Sequence, residues 1–404
     1  MDGRTPAQAT RSASAPLEIL LVYLRLGLTC FGGPVAHLGY FRAEFVERRR
    51  WLDECAYADL VGLCQLLPGP ASSQVGFAIG LLRGGIAGAF AAWLGFTAPS
   101  AIVLVLFGYG VGRYGGALGG GFLHGLQAVA VAVVALAVWN MGRALTPDRP
   151  RFTLAVLAAI LVLAFPGSPA QIAAILAGGL AGWRLFPGEA ASKPAPSALA
   201  IGRGAGAALL LLAVALLGLL PLLAGLVPSH ALALLDRFYR AGALVFGGGH
   251  VVLPLLQSAV VPPGWVSNDV FLAGYGVAQA VPGPLFTFAA YLGTVMGPAP
   301  HGWLGALICL LAIYLPSFLL LPGILPFWDE ARGRPALRGA LAGVNAAVVG
   351  LLLAALYDPV WTSAIQGAGD FMLALAAFLL LAFWRAPPWL VVLLAAAAGA
   401  LLGV

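Results

Sequence analysis

A chain of 404 residues in which 61% are hydrophobic and only 9% charged, with a mean hydropathy of +0.97, lies outside the composition of soluble domains. The net charge of +6 is scattered over short polar segments, which argues against a nucleic-acid face and makes membrane topology its reason. The apolar stretches 85–112, 117–141, 199–227, 303–325 and 337–356 reach the roughly 20 residues that a helix needs to cross a hydrocarbon core of about 30 Å. Lipid offers backbone groups no partner, so these stretches are expected to be helical. They also lack the short alternating segments of a β-barrel. The expected class is an all-α polytopic membrane protein.

Residues 1–16 are small and polar, with Arg4 and Arg11, and lead into an apolar run that carries Glu18 and Arg25 and has no clear cleavage site. They read as a cytoplasmic tail. "RLGLTCFGGP" (25–34) follows, and it returns as "RAGALVFGGG" (240–249). An arginine and a helix-breaking glycine pair are costly in apolar surroundings, and here the same fault occurs twice. Next come Trp51 and "QLLPGP" (65–70), answered by Trp265 and "QAVPGP" (279–284), with Trp and Gln fourteen residues apart in both copies. Pro99-Ser100 is answered by Pro316-Ser317, and Gly125-Leu126-Gln127-Ala128 by Gly343-Val344-Asn345-Ala346. Landmarks in one order indicate duplication, with units at 17–186 and 231–404 and a linker at 187–230 that contains an extra helix. Cys30, Cys55, Cys64 and Cys309 have no C-x-x-C spacing and read as buried small hydrophobes.

Basic residues in short loops favour the cytoplasmic side. The first half carries Arg42, Arg48, Arg49 and Arg50 in one loop and Arg143, Arg149 and Arg151 in another, whereas the matching segments 257–267 and 357–370 have no Lys or Arg. Segment 328–338 instead holds Arg332, Arg334 and Arg338, against Arg113 alone in 113–123. The bias has changed sides. With the unmatched stretch 199–227 supplying an odd crossing, the sequence predicts two inverted repeats. If the 42–50 loop and Arg83 share a side, residues 55–82 must form a re-entrant hairpin broken at Pro68-Gly69-Pro70, and 17–42 another around Gly32-Gly33-Pro34. The expected count is about nine full spans plus four hairpins, the alternative being about thirteen crossings. The N-terminus is expected in the cytoplasm and the C-terminus on the opposite side.

Broken helices with inward termini point to a transport site. A half-helix starting after Gly33 or Gly69 aims free N–H groups and the positive end of its dipole at the bilayer centre, which suits an anion. Arg25 and Arg240 supply formal charge, and their planar forks match the oxygens of a tetrahedral oxyanion. Either one alone could snorkel to a headgroup; recurrence at one register favours the site. Gln65, Gln279, Ser72, Ser73 and Thr287 add neutral donors beside the Pro-Gly-Pro breaks. Acids cluster at Glu44, Glu47, Asp53, Glu54 and Asp59, mostly as solvated partners of Arg48–Arg50. Glu44 and Asp59 are proton-coupling candidates, because a carboxyl in an apolar setting rises in pKa. His37 and His250 lie near the breaks without aligning; they read first as packed neutral rings and join that candidate set. The sequence has no H-E-x-x-H, no G-x-S-x-G and no metal-ligand or cofactor motif, so an enzyme is not expected.

The segments "FGGPVAHLGYFR" (31–42), "QLLPGP", "FGGGHVVLPLL" (246–256) and "QAVPGPLFTFAAYLG" (279–293) together resemble the chromate transporter family of bacterial and archaeal inner-membrane proteins, in its long form with two homologous halves. The resemblance spans nearly everything after residue 16. It implies export of chromate from the cytoplasm, chromate resistance, and coupling to the proton motive force. Its motifs carry functional roles to Arg25, Gly32, Gly33, Pro34, Gln65, Pro68, Gly69 and Pro70, and to Arg240, Gly247, Gly248, Gly249, Gln279, Pro282, Gly283 and Pro284. Sulfate is nearly isosteric with chromate and dianionic too, so a transporter or exchanger of sulfate or another oxyanion is the alternative, with a passive anion channel beyond it. The expected partners are chromate or sulfate, protons and the bilayer, without nucleic acid; apolar outer faces would also suit a homodimer.

Overall fold

A computed structural model describes residues 15–31, 33–114, 119–186, 201–246, 249–331 and 334–402, and among them the only regular structure is helical. The first half contains α1 (Ala15–Thr29), α2 (Gly33–Arg42), α3 (Glu54–Leu66), α4 (Ala71–Tyr114), α5 (Gly119–Leu145), α6 (Arg149–Ala164) and α7 (Ser168–Leu185). α8 (Arg203–Leu226) stands between the halves. The second half contains α9 (His230–Leu244), α10 (Val252–Val260), α11 (Asn268–Ala280), α12 (Phe288–Val295) and α13 (Gly302–Ile324). The single turn α14 (Trp328–Ala331) leads to α15 (Pro335–Ala355), and the short α16 (Thr362–Ala364) to α17 (Ala368–Ala382) and α18 (Pro388–Leu402). Five segments among the described residues are long and apolar enough to cross a membrane: Ala71–Arg113, Gly121–Leu145, Arg203–Leu226, Gly302–Phe327 and Pro335–Ala364. The protein is a multi-pass membrane protein.

Local chemistry sets the helix ends. Asp53 caps α3 by accepting the Ala56 N–H at 2.8 Å, and Ser267, its counterpart by position, caps α11 by accepting from Val270 N. Inside α4 the dihedrals leave helical space at Gly84 and Gly85, the latter at φ +63°, so Ala71–Tyr114 is two rods joined at a glycine corner. At the corresponding place in the second half the chain interrupts α12 and α13, restarting at Gly302 with φ +64°.

The two halves interlock. α5 packs on α17 and α18, whereas α15, at the position matching α5, packs on α6 and α7. Both crossings are set by small residues. A Cβ on Gly121 would stand 2.4 Å from the Gly399 carbonyl oxygen, and one on Gly339 would stand 2.8 Å from that of Gly182. Gly125 against Ala395 repeats as Gly343 against Gly178. Glycines four apart let two backbones touch, which gives helices in lipid the van der Waals contact that replaces a hydrophobic driving force. α8 has a mostly exposed surface of leucines, including Leu211, Leu222 and Leu226, as a lipid-facing helix requires.

Three cysteines, Cys30, Cys64 and Cys309, are buried as expected. Cys55 is not: it sits in the first turn of α3, where the side chain is exposed.

Candidate functional site

The broken segments fold back on themselves. Arg83 places its guanidinium 5.2 Å from the centre of the Trp51 ring, so the chain that leaves Trp51 through α3 returns to the same level at the end of the first rod of α4. In the second half the Gly297 N–H donates to the Trp265 carbonyl at 3.1 Å and closes α11 and α12 in the same way. The pair α1–α2 is closed by Arg49, which bonds Glu18 at 2.8 Å, and the pair α9–α10 by Arg237, whose Nη1 donates to the Ala259 carbonyl. Each hairpin has its break at the far end.

These ends meet across the halves. The Gly69 N–H donates to the Val245 carbonyl at 2.7 Å, and the Gly283 N–H donates to the Cys30 carbonyl at 3.0 Å. Each Pro-Gly-Pro turn thus satisfies a carbonyl exposed where the other half's arginine helix stops, an obligatory pairing for backbone away from water. The glycines have no substitute here. Gly69 (φ +121°) lies where a Cβ would come within 2.3 Å of Ser317 Oγ, and Gly283 (φ +106°) where one would come within 2.8 Å of Ser100 Oγ. Ser100 and Ser317 are the repeated Pro-Ser landmarks, so each half's serine guards the other half's turn.

A buried polar cluster surrounds the first turn. Gln74 Nε2 donates to the Pro68 carbonyl at 2.7 Å and to Ser317 Oγ at 3.0 Å, while its Oε1 is buried without a partner among the described residues. Ser73 Oγ is 3.4 Å from Tyr314 Oη, and Ser72 Oγ is 3.3 Å from His37 Nδ1. Around the second turn, Thr287 Oγ1 donates to the Pro284 carbonyl at 2.7 Å, and His250 Nδ1 pairs with Tyr275 Oη at 2.9 Å. His250 also faces Gly33, where a Cβ would lie 4.0 Å from its Nε2. His37 Nε2 and Gln279 Nε2 are buried with no partner among the described residues. Unpaired buried donors and acceptors are costly, and they cluster where a ligand or water would satisfy them.

The arginines stand differently. Arg240, five residues before Val245, is half-buried, paired with Asp236, and lines a cavity of about 410 Å³ with Arg237, Gln171, Ser258 and Ala241. Its Nε is buried and unpartnered among the described residues. Arg237 lies over the Trp265 ring at 4.2 Å, and Ser258 Oγ donates to Gln171 Oε1 at 3.2 Å. Two guanidiniums beside an amide form a donor set suited to oxyanions. Arg25, five residues before Cys30, is exposed on α1, and no described residue of α1 lines that cavity.

Among the other expected site residues, Gln65 is exposed on α3 and Pro282 and Pro70 flank their turns, while Gly249 is buried at the start of the turn leading into α10. Gly33 opens α2 at φ +75° and Pro34 follows it. Gly32, Gly247 and Gly248 lie outside the described residues. Glu44 is buried, as its candidacy requires, but it accepts from Arg49 at 2.6 Å and from Arg48 at 2.9 Å. Burial pushes its carboxyl up; the hydrogen bonds and charges of Arg49 and Arg48 outweigh this and hold it below its ordinary value. Asp59 sits half-buried on α3. Sequence reasoning missed Gln74, Tyr314, Arg237, Gln171 and Ser258, none of which recurs as the same residue at the matching position of the other half. It recorded Ser100 and Ser317 as landmarks without giving them a role.

Paired broken hairpins meeting inside an apolar helical protein, with cationic residues just short of the breaks, define a membrane transport protein. A family model described as chromate transporter matches residues 17–183 and again residues 232–400, and the chain belongs to that family. It is 30% identical to a chromate transport protein of Pseudomonas aeruginosa over 84% of this chain and 80% of the relative. It is 27% identical to a probable chromate transport protein of Synechococcus elongatus over 95% of this chain and 94% of the relative. A chromate transport protein of Cupriavidus metallidurans is 26% identical over 84% of this chain and 81% of the relative. No solved structure gives a significant match.

Proposed function

We propose that the protein is a secondary transporter that exports chromate from the cytoplasm, coupled to protons, and that it confers chromate resistance from the plasma membrane. The units are 17–186 and 231–404, related by inversion in the membrane, with α8 as the odd crossing. The four broken pairs are re-entrant, two from each face, with the N-terminus cytoplasmic. The observation that carries the reading is the reciprocal pair of bonds Gly69 to Val245 and Gly283 to Cys30, since bonds exchanged between two halves are what a two-fold axis through a shared site produces. Arg25 serves the oxyanion from the face of the basic 42–50 loop, and Arg240 serves it from the other face through its cavity. The buried donors at the turns complete the coordination at the centre.

Sulfate is the second reading, because guanidinium, amide and hydroxyl donors fit any tetrahedral dianion of similar size. Purified protein in sealed vesicles tests both. Radiolabelled chromate should accumulate against its gradient when a pH gradient is imposed, and excess sulfate should compete weakly. Equilibration without accumulation would mean a channel. Accumulation of sulfate in preference to chromate would establish the second reading.

A further inference from the structure

Packing between the halves is matched at the turns and at the α5–α18 and α15–α7 crossings, and unmatched at the arms. On the second-half side, α11 packs on α5 and α18. Gly276 lies where a Cβ would stand 2.5 Å from the Leu126 carbonyl oxygen, and Gln127 Nε2 donates to the Asp269 carbonyl at 3.4 Å. The matching helix of the first half, α3, packs on α4 and makes no comparable contact with α15 or α7, the counterparts of α5 and α18. Gly62, which matches Gly276, has nothing within 4 Å of where its Cβ would be. The same asymmetry extends to the neighbouring arm, since α10 touches α7 and α15 whereas α2 packs on α4.

The uncovered face of α3 carries Cys55, Ala58, Gly62 and Gln65, spaced three, four and three residues apart and so aligned along one side of the helix. Lipid-facing stripes in this chain look different: α8 presents Leu211, Leu219, Leu222 and Leu226. Small and polar residues at helical spacing fit another helix at close range. A glycine within a helix also lowers its stability relative to alanine, and the present surroundings of Gly62 give no steric reason for one.

We infer that this face of α3 is a docking surface for α15 of the same chain, engaged in a second conformation in which α11 releases α5. In that state Gly62 meets Val344 as Gly276 meets Leu126 here, and Asn345 donates to the Cys55 carbonyl as Gln127 does to that of Asp269. The paired turns and the α5–α18 and α15–α7 crossings, already matched, stay as the fixed frame. Exchange between the two dockings would open the central turns to one face and then to the other. This rests on the proposed transport cycle for its purpose but not on the identity of the anion.

The test is a disulfide between Gly62→Cys and Val344→Cys in a background without the native cysteines. Asn268→Cys with Ser363→Cys, whose native side chains touch in this structure, reports that oxidation works. The 62/344 pair should couple, more slowly than the control, and coupling should stop radiolabelled chromate flux until a reductant is added. In the native-cysteine background, Gly62→Trp should insert and melt as the wild type does, because the space is open, yet lose roughly tenfold or more of its flux by overpacking the closed contact. A 62/344 pair that stays uncoupled while the control couples, or a Gly62→Trp protein with wild-type flux, overturns the proposal. Coupling at 62/344 in a protein that moves no chromate would sink the proposed function and leave the docking surface standing.

Discussion

The two repeats are built from matching helices and pack them differently. Where α9 and α10 end, α10 rests on α7 and α15, and a cavity remains around Arg240. Where α1 and α2 end, the arms stand apart from their opposite scaffold, Arg25 is exposed, and charge fills the rim: Glu18, Glu44, Arg48 and Arg49 in one network, Arg42, Glu47 and Glu54 in another. The central turns are matched and the arms are not. If the second docking inferred above forms, the packing that one repeat gives up is restored on the other, which is how two arrangements of one chain come to lie close in energy.

The largest expected effect tests whether these arms lie on opposite faces at all. Cysteines introduced as Glu47→Cys and Pro263→Cys should react with an impermeant thiol reagent from opposite sides of sealed vesicles, with little cross-reaction. Labelling of both from one side would remove the inversion and with it the comparison.

Next in size are the matched central turns. Gly69→Ala places a methyl group against Ser317 Oγ and Gln74 Nε2 at a backbone conformation that L-residues rarely adopt, costing about 1–3 kcal/mol in strain before the clash is counted. Gly283→Ala meets only Ser100 Oγ within 3 Å and should lose less. Thermal melting in detergent should rank Gly69→Ala below Gly283→Ala, and Ser317→Ala should recover part of the first loss. Equal melting of both variants with the wild type would show that the turns are not held as described.

The smallest effect sharpens the charged rim. Because the Glu44 carboxyl is held below its ordinary 4.5, it contributes stability that is present above that value and is lost as pH falls through the folded-state value. Melting temperature should drop on acidification below the ordinary carboxylate range. Glu44→Gln should flatten that slope while costing about 1 kcal/mol or less near neutrality, since both arginine partners reach water. An unchanged slope in the variant would assign the acid sensitivity elsewhere.

Sequence periodicity and length made the class of fold legible, and the five long apolar stretches lie within or near the long helices. The breaks at Gly33, Gly69 and Gly283 were legible because glycine between prolines or beside a lone arginine has few other uses in an apolar chain. What the breaks touch was not. The partner of Gly69 is Val245, an ordinary apolar residue far along the chain, and its role is to offer a carbonyl that every residue carries. Gln65 attracted attention because it is repeated, yet it is exposed, while Gln74, whose counterpart is Phe288, makes the bonds. Repetition finds what both halves share; it is blind to polar residues that serve one half alone. Glu44 has the burial that singled it out, and a helical turn also brings Arg48 and Arg49 onto its carboxyl, contacts that spacing alone does not reveal.

The central claim is that one oxyanion is served by Arg25 from one face and by Arg240 from the other. Equilibrium binding of chromate to purified, folded variants tests it most directly. Arg25→Ala and Arg240→Ala should each bind chromate more than about tenfold more weakly, the loss expected for a hydrogen bond to a charged group of roughly 1.5–3 kcal/mol. The double variant Asp236→Asn/Arg240→Ala, which leaves no uncompensated carboxylate, should show the same loss as Arg240→Ala. Arg→Lys at either position should restore binding only in part. Wild-type affinity in both alanine variants would contradict the account.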